Sequence, residues 1–182
     1  MRNKLNITKF EKVSFKQFKK DFADTFNIDL NGDDAEENLV YIKDVYDKIK
    51  LPKRATTGSA GYDFYAPIDF YLKPNQTIKI PTGIRSFMKN DQVLMLFPRS
   101  GLGFKYRMQL NNSVGIVDCD YVYSNNEGHI FAKITNDTNE DKTITVNSGE
   151  GFIQGIFLQY GITEDDDADG IRDGGFGSTT GK

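Results

Sequence analysis

The N-terminal part of the chain combines two different spacings of hydrophobic residues. Residues 4–13 alternate hydrophobic and polar positions, which predicts a short β-strand. Residues 14–26 place phenylalanines three or four positions apart, which predicts an amphipathic helix, and Ser14 with Gln17 resembles a capping box at its start. A second helix is predicted within residues 31–50, although the later part of this stretch could equally be extended.

The pattern changes at residue 51. From there, short runs rich in Ile, Val, Phe and Tyr alternate with turns of Gly, Pro, Asn and Asp. Repeated short strands of this kind predict an all-β sandwich or barrel. The last stretch is acidic and then glycine-rich, so its composition alone predicts a flexible tail.

Composition narrows the classes of partner. The 182 residues suffice for one domain with a real core and a modest appendage. The net charge of -3 provides no polybasic surface, which argues against duplex nucleic acid or an anionic membrane as the main partner. No apolar stretch approaches the roughly 20 residues needed to span a bilayer, and the N-terminus lacks the apolar core of a signal peptide.

The residue types present also limit the catalytic chemistry available to the protein. Cys119 is the one cysteine, which excludes an internal disulfide and suits a cytoplasmic protein. With His129 as the one histidine, neither a zinc site nor a Cys/His or Ser/His catalytic pair finds support. Carboxylates, hydroxyls, arginines, amides and a hard metal ion remain for catalysis.

Four segments combine glycines with polar groups of one useful kind. They are SAGYDF (59–64), PRSGLGFKYRMQLNNSVGIVDCDY (98–121), GEGFIQ (149–154) and RDGGFGSTTG (172–181). In this order and at this spacing they resemble the five motifs of the trimeric dUTPase family, with the second and third motifs both lying in the segment 98–121. The resemblance implies an all-β distorted jelly roll or β-barrel of the β-clip type, here with a short helical N-terminal insertion.

The resemblance also implies a domain layout. Residues 1–164 are expected to form a single β domain, with residues 14–50 as the helical insertion and residues 51–164 as the barrel core. Residues 165–182 are expected to form a flexible C-terminal arm that closes over the active site.

The implied activity is hydrolysis of dUTP to dUMP and pyrophosphate with Mg²⁺ as cofactor. Asp118 matches the aspartate that activates the water attacking the α-phosphate, a role that a carboxylate in a dry pocket can perform. Without the surrounding motif, Asp118 and Asp120 would be interpreted as turn residues. Cys119 between them is interpreted as a small strand residue and not as a nucleophile.

The nucleoside contacts implied by the family lie in the third motif. Asn112 matches the asparagine that hydrogen-bonds uracil, and backbone groups between Asn112 and Asp118, including those of Gly115 and Val117, complete the readout of the base. Tyr121 matches the tyrosine that packs against deoxyribose and leaves no space for a 2′-hydroxyl.

The phosphate contacts implied by the family are spread over three motifs. The residues are Arg99, Ser100, Gly101 and Gln154, joined from the arm by Arg172, Gly177, Ser178 and Thr179. Phe176 matches the aromatic residue that stacks over uracil when the arm closes. Asp63 matches an aspartate that supports Mg²⁺ through water, while the substrate phosphates hold most of the ion.

Several departures from the family pattern leave questions open. The fifth motif is one residue short between Arg172 and Phe176, and Gly151 stands where the fourth motif usually carries an arginine. After Tyr121 the chain makes a longer excursion, residues 122–129, which is expected to enlarge a surface hairpin. The insertion 14–50 must bury its phenylalanine stripe, and packing on its own barrel is favoured over packing on another protein.

The family assignment implies a homotrimer with shared active sites. A dCTP deaminase of the same fold is the enzyme alternative, but the additional glutamate on which that activity depends has no convincing match. An interaction protein is the alternative from another class, with residues 14–50 or 122–129 binding a regulatory partner.

Overall fold

The N-terminal elements follow the predicted order. The fold is that of a computed structural model, which describes residues 7–172 and 174. The first elements are strand β1 (Lys9–Lys12), helix α1 (Phe15–Phe26) and helix α2 (Ala35–Lys48). Because α2 remains helical as far as Lys48, the extended alternative for its later part is excluded.

The capping box at the start of α1 is half formed. Ser14 Oγ accepts a hydrogen bond from the backbone N–H of Gln17 at 3.1 Å, which satisfies one of the free donors of the first turn. The Gln17 side chain donates instead to Asp21 at 2.9 Å. The sequence therefore located the helix start correctly, but the backbone N–H of Ser14, which Gln17 would accept in a full capping box, donates to Glu127 instead.

The rest of the described chain is mainly antiparallel strand. The strands are β2 (Lys53–Arg54), β3 (Tyr62–Tyr65), β4 (Phe70–Leu72), β5 (Thr77–Pro81), β6 (Ile84–Phe87), β7 (Gln92–Pro98), β8 (Met108–Leu110), β9 (Gly115–Val117), β10 (Phe131–Asn136), β11 (Ile144–Val146) and β12 (Gly151–Gln159). Helix α3 (Ser100–Tyr106) follows β7, and a 3₁₀ turn (Tyr121–Tyr123) follows β9. This confirms the predicted β architecture with a helical N-terminal insertion.

Strand pairing divides these strands among four sheets. The largest has the order β2-β3-β12-β7-β9, and a second has the order β5-β10-β8. The pairs β1-β6 and β4-β11 complete the set. The described strands thus form several small sheets around a common core, and α3 lies between β7 and β8 in the chain. Among the described residues, no helix is both long enough and apolar enough to cross a membrane.

The helical insertion shares the core of the β-sheets. Phe18 and Ile42 are fully buried, and Phe22 is 1% exposed. Helix α1 contacts strand β5 as well as α2. Burying a side chain of this size stabilises the fold by roughly 1.5–3 kcal/mol. The phenylalanine stripe is therefore buried by the chain itself, as the sequence favoured.

Residues 122–129 do not form the enlarged surface hairpin that the sequence suggested. Val122 and Ser124 are buried, and His129 is fully buried. Polar contacts to α1 pull this segment inward, because Ser14 binds Glu127 and Asp21 binds His129. A single-sequence pattern could not reveal this packing, since the partners lie more than 100 residues away.

Candidate active site

The third motif lines a pocket of about 310 Å³. Its lining includes Asn112, Gly115, Ile116, Val117, Asp118, Tyr121, Phe131 and Arg172. Strand β9 pairs with β7 so tightly that an added Cβ at Gly115 would lie 3.0 Å from Cβ of Leu96. A glycine therefore lets the two strands approach closely here, where a larger residue would crowd Leu96. The structure brings together all the residues predicted to bind the nucleoside, apart from the arm.

Tyr121 forms a rigid wall of this pocket. Its side chain is largely buried, and its hydroxyl donates to the backbone oxygen of His129 at 2.9 Å. The same hydroxyl accepts a hydrogen bond from Asn126 Nδ2 at 2.9 Å. Burial raises the pKa of Tyr121, so the side chain remains a neutral phenol. Both hydrogen bonds restrict the ring to one orientation.

Asp118 lies at the mouth of the pocket and is paired with an arginine of its own chain. One Arg172 terminal nitrogen contacts Asp118 Oδ2, and Arg172 Nε donates to Asp120 Oδ1 at 2.8 Å. The guanidinium also lies 5.9 Å from the centre of the Tyr121 ring. The sequence predicted a phosphate contact for Arg172, whereas in the structure its partners are the two carboxylates of the third motif.

Cys119 packs against the turn that precedes strand β7. Its Sγ lies 3.8 Å from the backbone oxygen of Asn90. Burial raises the pKa of the Cys119 thiol, and the negative charge of Asp120 raises it further. A protonated thiol is a poor nucleophile, which agrees with the prediction that Cys119 is a small structural residue.

The first, second and fourth motifs meet at a different place. Arg99, Ser100 and Gly101 line a cleft of about 580 Å³. Arg99 Nη2 lies 3.6 Å from Asp63 Oδ2, and Asp63 faces Gln154 in the pairing of β3 with β12. Asp63 and Gln154 therefore lie on neighbouring strands, Arg99 directly follows β7, and Ser100 and Gly101 begin α3.

The missing arginine of the fourth motif has a structural counterpart. Arg99 Nη1 lies 3.4 Å from the backbone oxygen of Gly151. An added Cβ at Gly151 would lie 3.2 Å from that same nitrogen. The guanidinium of Arg99 thus occupies the space beside residue 151, where a side chain on that residue would crowd it.

These two groups of residues lie at opposite ends of strand β7. Leu94 pairs with Val117, so Asp118 is level with Val93, whereas Arg99 directly follows the last residue of the strand. Six residues at about 3.3 Å each separate the two levels by about 20 Å. We call the Asp118 group the nucleoside half-site and the Arg99 group the phosphate half-site. One chain alone does not bring them together.

Several predicted residues fall outside the described part of the chain. Phe176, Gly177, Ser178 and Thr179 lie there, so their predicted roles stay predictions. For the metal, the described residues contain no group of three or more His, Cys, Asp or Glu side chains that could hold an ion. Asp63 and Glu150 both offer carboxylates near Arg99 in the phosphate half-site, an arrangement that suits Mg²⁺ bound mainly by other ligands.

Sequence reasoning missed Phe131 as a wall of the nucleoside pocket and His129 as its support. Phe131 lines the pocket, and the rings of the two residues are 4.6 Å apart. The sequence carried no specific signal for either one. Phe131 looked like an ordinary hydrophobic strand position, and His129 was judged only as a catalytic candidate.

Comparison with known proteins agrees with the motifs. A family model described as dUTPase matches residues 47–180. The deoxyuridine 5'-triphosphate nucleotidohydrolase of Lactococcus lactis subsp. lactis is 39% identical over 135 residues, covering 72% of this chain and 88% of that protein. The corresponding protein of Desulfitobacterium hafniense is 36% identical over 138 residues, covering 71% of this chain and 87% of that protein.

Solved structures give the same result for the fold. The dUTPase of Streptococcus mutans superimposes with a TM-score of 0.56 and is 38% identical, covering 65% of this chain and 91% of that one. A dUTPase of Staphylococcus aureus phage phi11 superimposes with a TM-score of 0.54 at 18% identity, which is evidence for the fold alone. The predicted dUTPase-like fold is thereby confirmed. The chain belongs to the dUTPase family of enzymes, the dUTP diphosphatases.

Proposed function

We propose that this protein hydrolyses dUTP to dUMP and pyrophosphate through water activated by Asp118, with Mg²⁺ bound to the substrate. The observation that carries the proposal is the position of Asp118. Its carboxylate lies at the mouth of the pocket formed by Asn112, Gly115, Val117 and Tyr121, where the first phosphate of a bound nucleotide would emerge. Neither the one cysteine, whose pKa is raised, nor the one histidine, which is fully buried, supports an alternative nucleophile.

The nucleoside half-site selects the base and the sugar. Asn112 and the backbone between Gly115 and Asp118 supply donors and acceptors for the edge of uracil. A site that pairs these groups with uracil leaves them unpaired with cytosine, which is a strong basis for rejection. Tyr121 supplies a flat wall against the deoxyribose, and its two hydrogen bonds hold that wall in place.

Hydrolysis requires an in-line water and a base for its proton. The water oxygen forms a bond to the α-phosphorus, the bond to the bridging oxygen breaks, and pyrophosphate leaves. Asp118 accepts the proton that the water gives up. For this step Arg172 must release Asp118, and the arriving phosphates offer the guanidinium another anion to bind. This exchange reconciles the observed ion pair with the phosphate contact predicted for Arg172.

The phosphate half-site suits a Mg²⁺-bound triphosphate. Asp63 would hold the ion through its waters, while Ser100, Gln154 and Arg99 contact phosphate oxygens. Mg²⁺ commonly binds one or two carboxylates together with substrate phosphates and retains several waters, which fits this set of donors. When bound, the ion would neutralise charge on the phosphate chain. A phage phi11 dUTPase structure is described as showing coordination of a structural Mg(II) ion, which supports a role for this metal in the fold.

The separation of the two half-sites supports a homotrimer with shared active sites. Asp118 and Arg99 are about 20 Å apart along β7, which is too far for one chain to hold the α-phosphate at both. In a closed cyclic assembly, the nucleoside half-site of one subunit can face the phosphate half-site of the next. A cytoplasmic location is proposed as well, because a lone Cys119 requires no oxidising compartment.

A nucleotide panel tests the proposed activity. With Mg²⁺, we expect the protein to release pyrophosphate from dUTP at least about a hundredfold faster than from dCTP, dTTP or UTP. Chelation of the metal should abolish this release. Equal turnover of all four nucleotides would contradict the roles given to Asn112 and Tyr121. Ammonia release from dCTP would favour the deaminase alternative instead.

A regulatory partner remains a prediction. Residues 14–50 and 122–129 use Ser14, Asp21, Glu127 and His129 to bind each other, so these side chains are not free for a partner. A pull-down comparing the full chain with a variant carrying Leu39→Ser and Val40→Ser, two exposed positions on α2, would test whether the insertion recruits another protein.

A further inference from the structure

The one histidine of the chain links the helical insertion to the nucleoside half-site. His129 is fully buried, and its Nε2 accepts the backbone N–H of Gly83 at 2.8 Å. Because Nε2 acts as an acceptor, the ring proton must reside on Nδ1. Nδ1 therefore donates to Asp21 Oδ2, 2.5 Å away, and Asp21 is held in turn by Gln17 Nε2 at 2.9 Å. Helix α1 thus fixes both the position and the tautomer of His129.

The other contacts of His129 are with two walls of the nucleoside pocket. Its backbone oxygen accepts the Tyr121 hydroxyl at 2.9 Å, and its ring lies 4.6 Å from the ring of Phe131. Asn126 Nδ2 contacts both the Tyr121 hydroxyl and the His129 oxygen, at 2.9 and 3.4 Å. A displacement of His129 would therefore move Tyr121 and Phe131 together.

Helix α1, which supports His129 through Asp21, lies in the part of the chain that the family model does not match. The match covers residues 47–180, and α1 lies before it. A second contact strengthens the same junction, because Glu127 accepts hydrogen bonds from both the backbone N–H and the hydroxyl of Ser14, at 2.7 and 2.6 Å. The insertion and the excursion 122–129, the two long departures from the family pattern, are thus one structural unit.

We propose that Asp21 and His129 are positioning residues, through which helix α1 holds the sugar-contacting wall of the nucleoside pocket and sharpens the rejection of ribonucleotides. The proposal rests on the proposed role of Tyr121 against deoxyribose. Removing the carboxylate of Asp21 leaves a buried N–H of His129 without its acceptor, which strongly favours movement of the ring toward another partner. A wall that excludes one hydroxyl group tolerates little displacement, so this movement should admit the 2′-hydroxyl of UTP.

The test compares kcat/KM for dUTP and UTP in the full-length holoenzyme with Mg²⁺. Asp21→Leu should lower the ratio of the two values about tenfold, because displacements near 1 Å in a binding site have effects of this order or larger. Asp21→Asn retains an oxygen acceptor for Nδ1 and should keep the ratio within about threefold of wild type. Asp24→Leu is the matched control, since Asp24 is exposed on the same helix, and it should leave the ratio unchanged.

Two results separate this inference from the proposed function. A wild-type enzyme that does not discriminate dUTP from UTP would overturn the proposed function itself. A discriminating wild type together with a folded Asp21→Leu variant of unchanged ratio would overturn only the positioning role.

A second variant applies if Asp21→Leu does not fold. Tyr121→Phe removes only the hydroxyl that binds His129 and should lower the ratio in the same direction; an unchanged ratio there overturns the inference. If both variants fold, the double variant should lose little more than either single variant, because both break the same chain of contacts. Fully additive losses would show that Asp21 and Tyr121 do not act through the same series of contacts.

Discussion

Mixed trimers offer a direct test of the separation between the two half-sites. One variant, Asp118→Asn, inactivates the nucleoside half-site, and a second, Ser100→Ala with Gln154→Ala, inactivates the phosphate half-site. Each variant alone should have almost no activity. Because Asp118 and Arg99 lie about 20 Å apart along β7, the proposed shared site combines halves from two different subunits.

The expected recovery follows from counting subunits. In trimers assembled at random from equal amounts of both variants, a site is intact when its phosphate half comes from the first variant and its nucleoside half from the second. Each condition is met in half of the cases, so about one quarter of the sites should be intact in a symmetric closed assembly. A site contained within one chain would give no recovery at any mixing ratio.

The assay is pyrophosphate release from dUTP after co-refolding or co-expression of the two variants. A mass measurement must show that mixed trimers have formed, and the matched control is a mixture of each variant with wild-type protein. Activity near one quarter of the wild-type value would agree with shared sites. Confirmed mixed trimers with no more activity than the parents would refute the argument from strand register.

Three further outcomes follow from other parts of the structure. Asp118→Asn should reduce turnover by at least about a hundredfold while a non-hydrolysable dUTP analogue still binds, because the lost carboxylate acts on the water and does not contact uracil. Unchanged turnover would contradict the role of Asp118 as the general base. Phe18→Ala should lower the free energy of unfolding in urea by about 3–5 kcal/mol, since Phe18 is fully buried in the shared core, whereas Tyr71→Ala at a position 71% exposed should cost less than about 1 kcal/mol. Burial lowers the pKa of His129 despite the opposing effect of Asp21, so below a pH of about 6.5 the unfolded chain binds a proton that the folded chain does not. The free energy of unfolding should therefore fall by about 1.4 kcal/mol for each pH unit below that value, until the folded pKa is reached. In urea titrations at several pH values, His129→Gln should remove this part of the slope, and an identical slope in both proteins would contradict the prediction.

The local elements were accessible from the sequence because their signals are local. The phenylalanine spacing and Ser14 predicted helix α1 and its start, and the observed cap lies where the sequence put it. The order and spacing of the motifs identified the family, since motifs of this kind specify backbone turns and polar groups within a few residues of one another. Asp118, Asn112 and Tyr121 could therefore be grouped from their positions within a single motif.

Long-range partners were not accessible in the same way. Asp21 and His129 lie 108 residues apart, and neither position carries a pattern that names the other. Residues 122–129 were expected to enlarge a surface hairpin because the excursion is longer than the family pattern, yet Glu127 and His129 of this segment bind Ser14 and Asp21. Hydrophobic periodicity predicts which face of an element is buried, but not which other element covers it.

The sequence by itself determined the family of this protein and predicted the groups of its site: a carboxylate as base, amides and a tyrosine for the nucleoside, and hydroxyl and guanidinium groups for phosphate. Only the tertiary structure decided how these groups are distributed. Strand register places Asp118 and Arg99 at opposite ends of β7, and packing places Arg172 on Asp118 and α1 behind Tyr121. The physical reason is that motifs record local backbone requirements, whereas register and packing result from contacts between residues far apart in the chain.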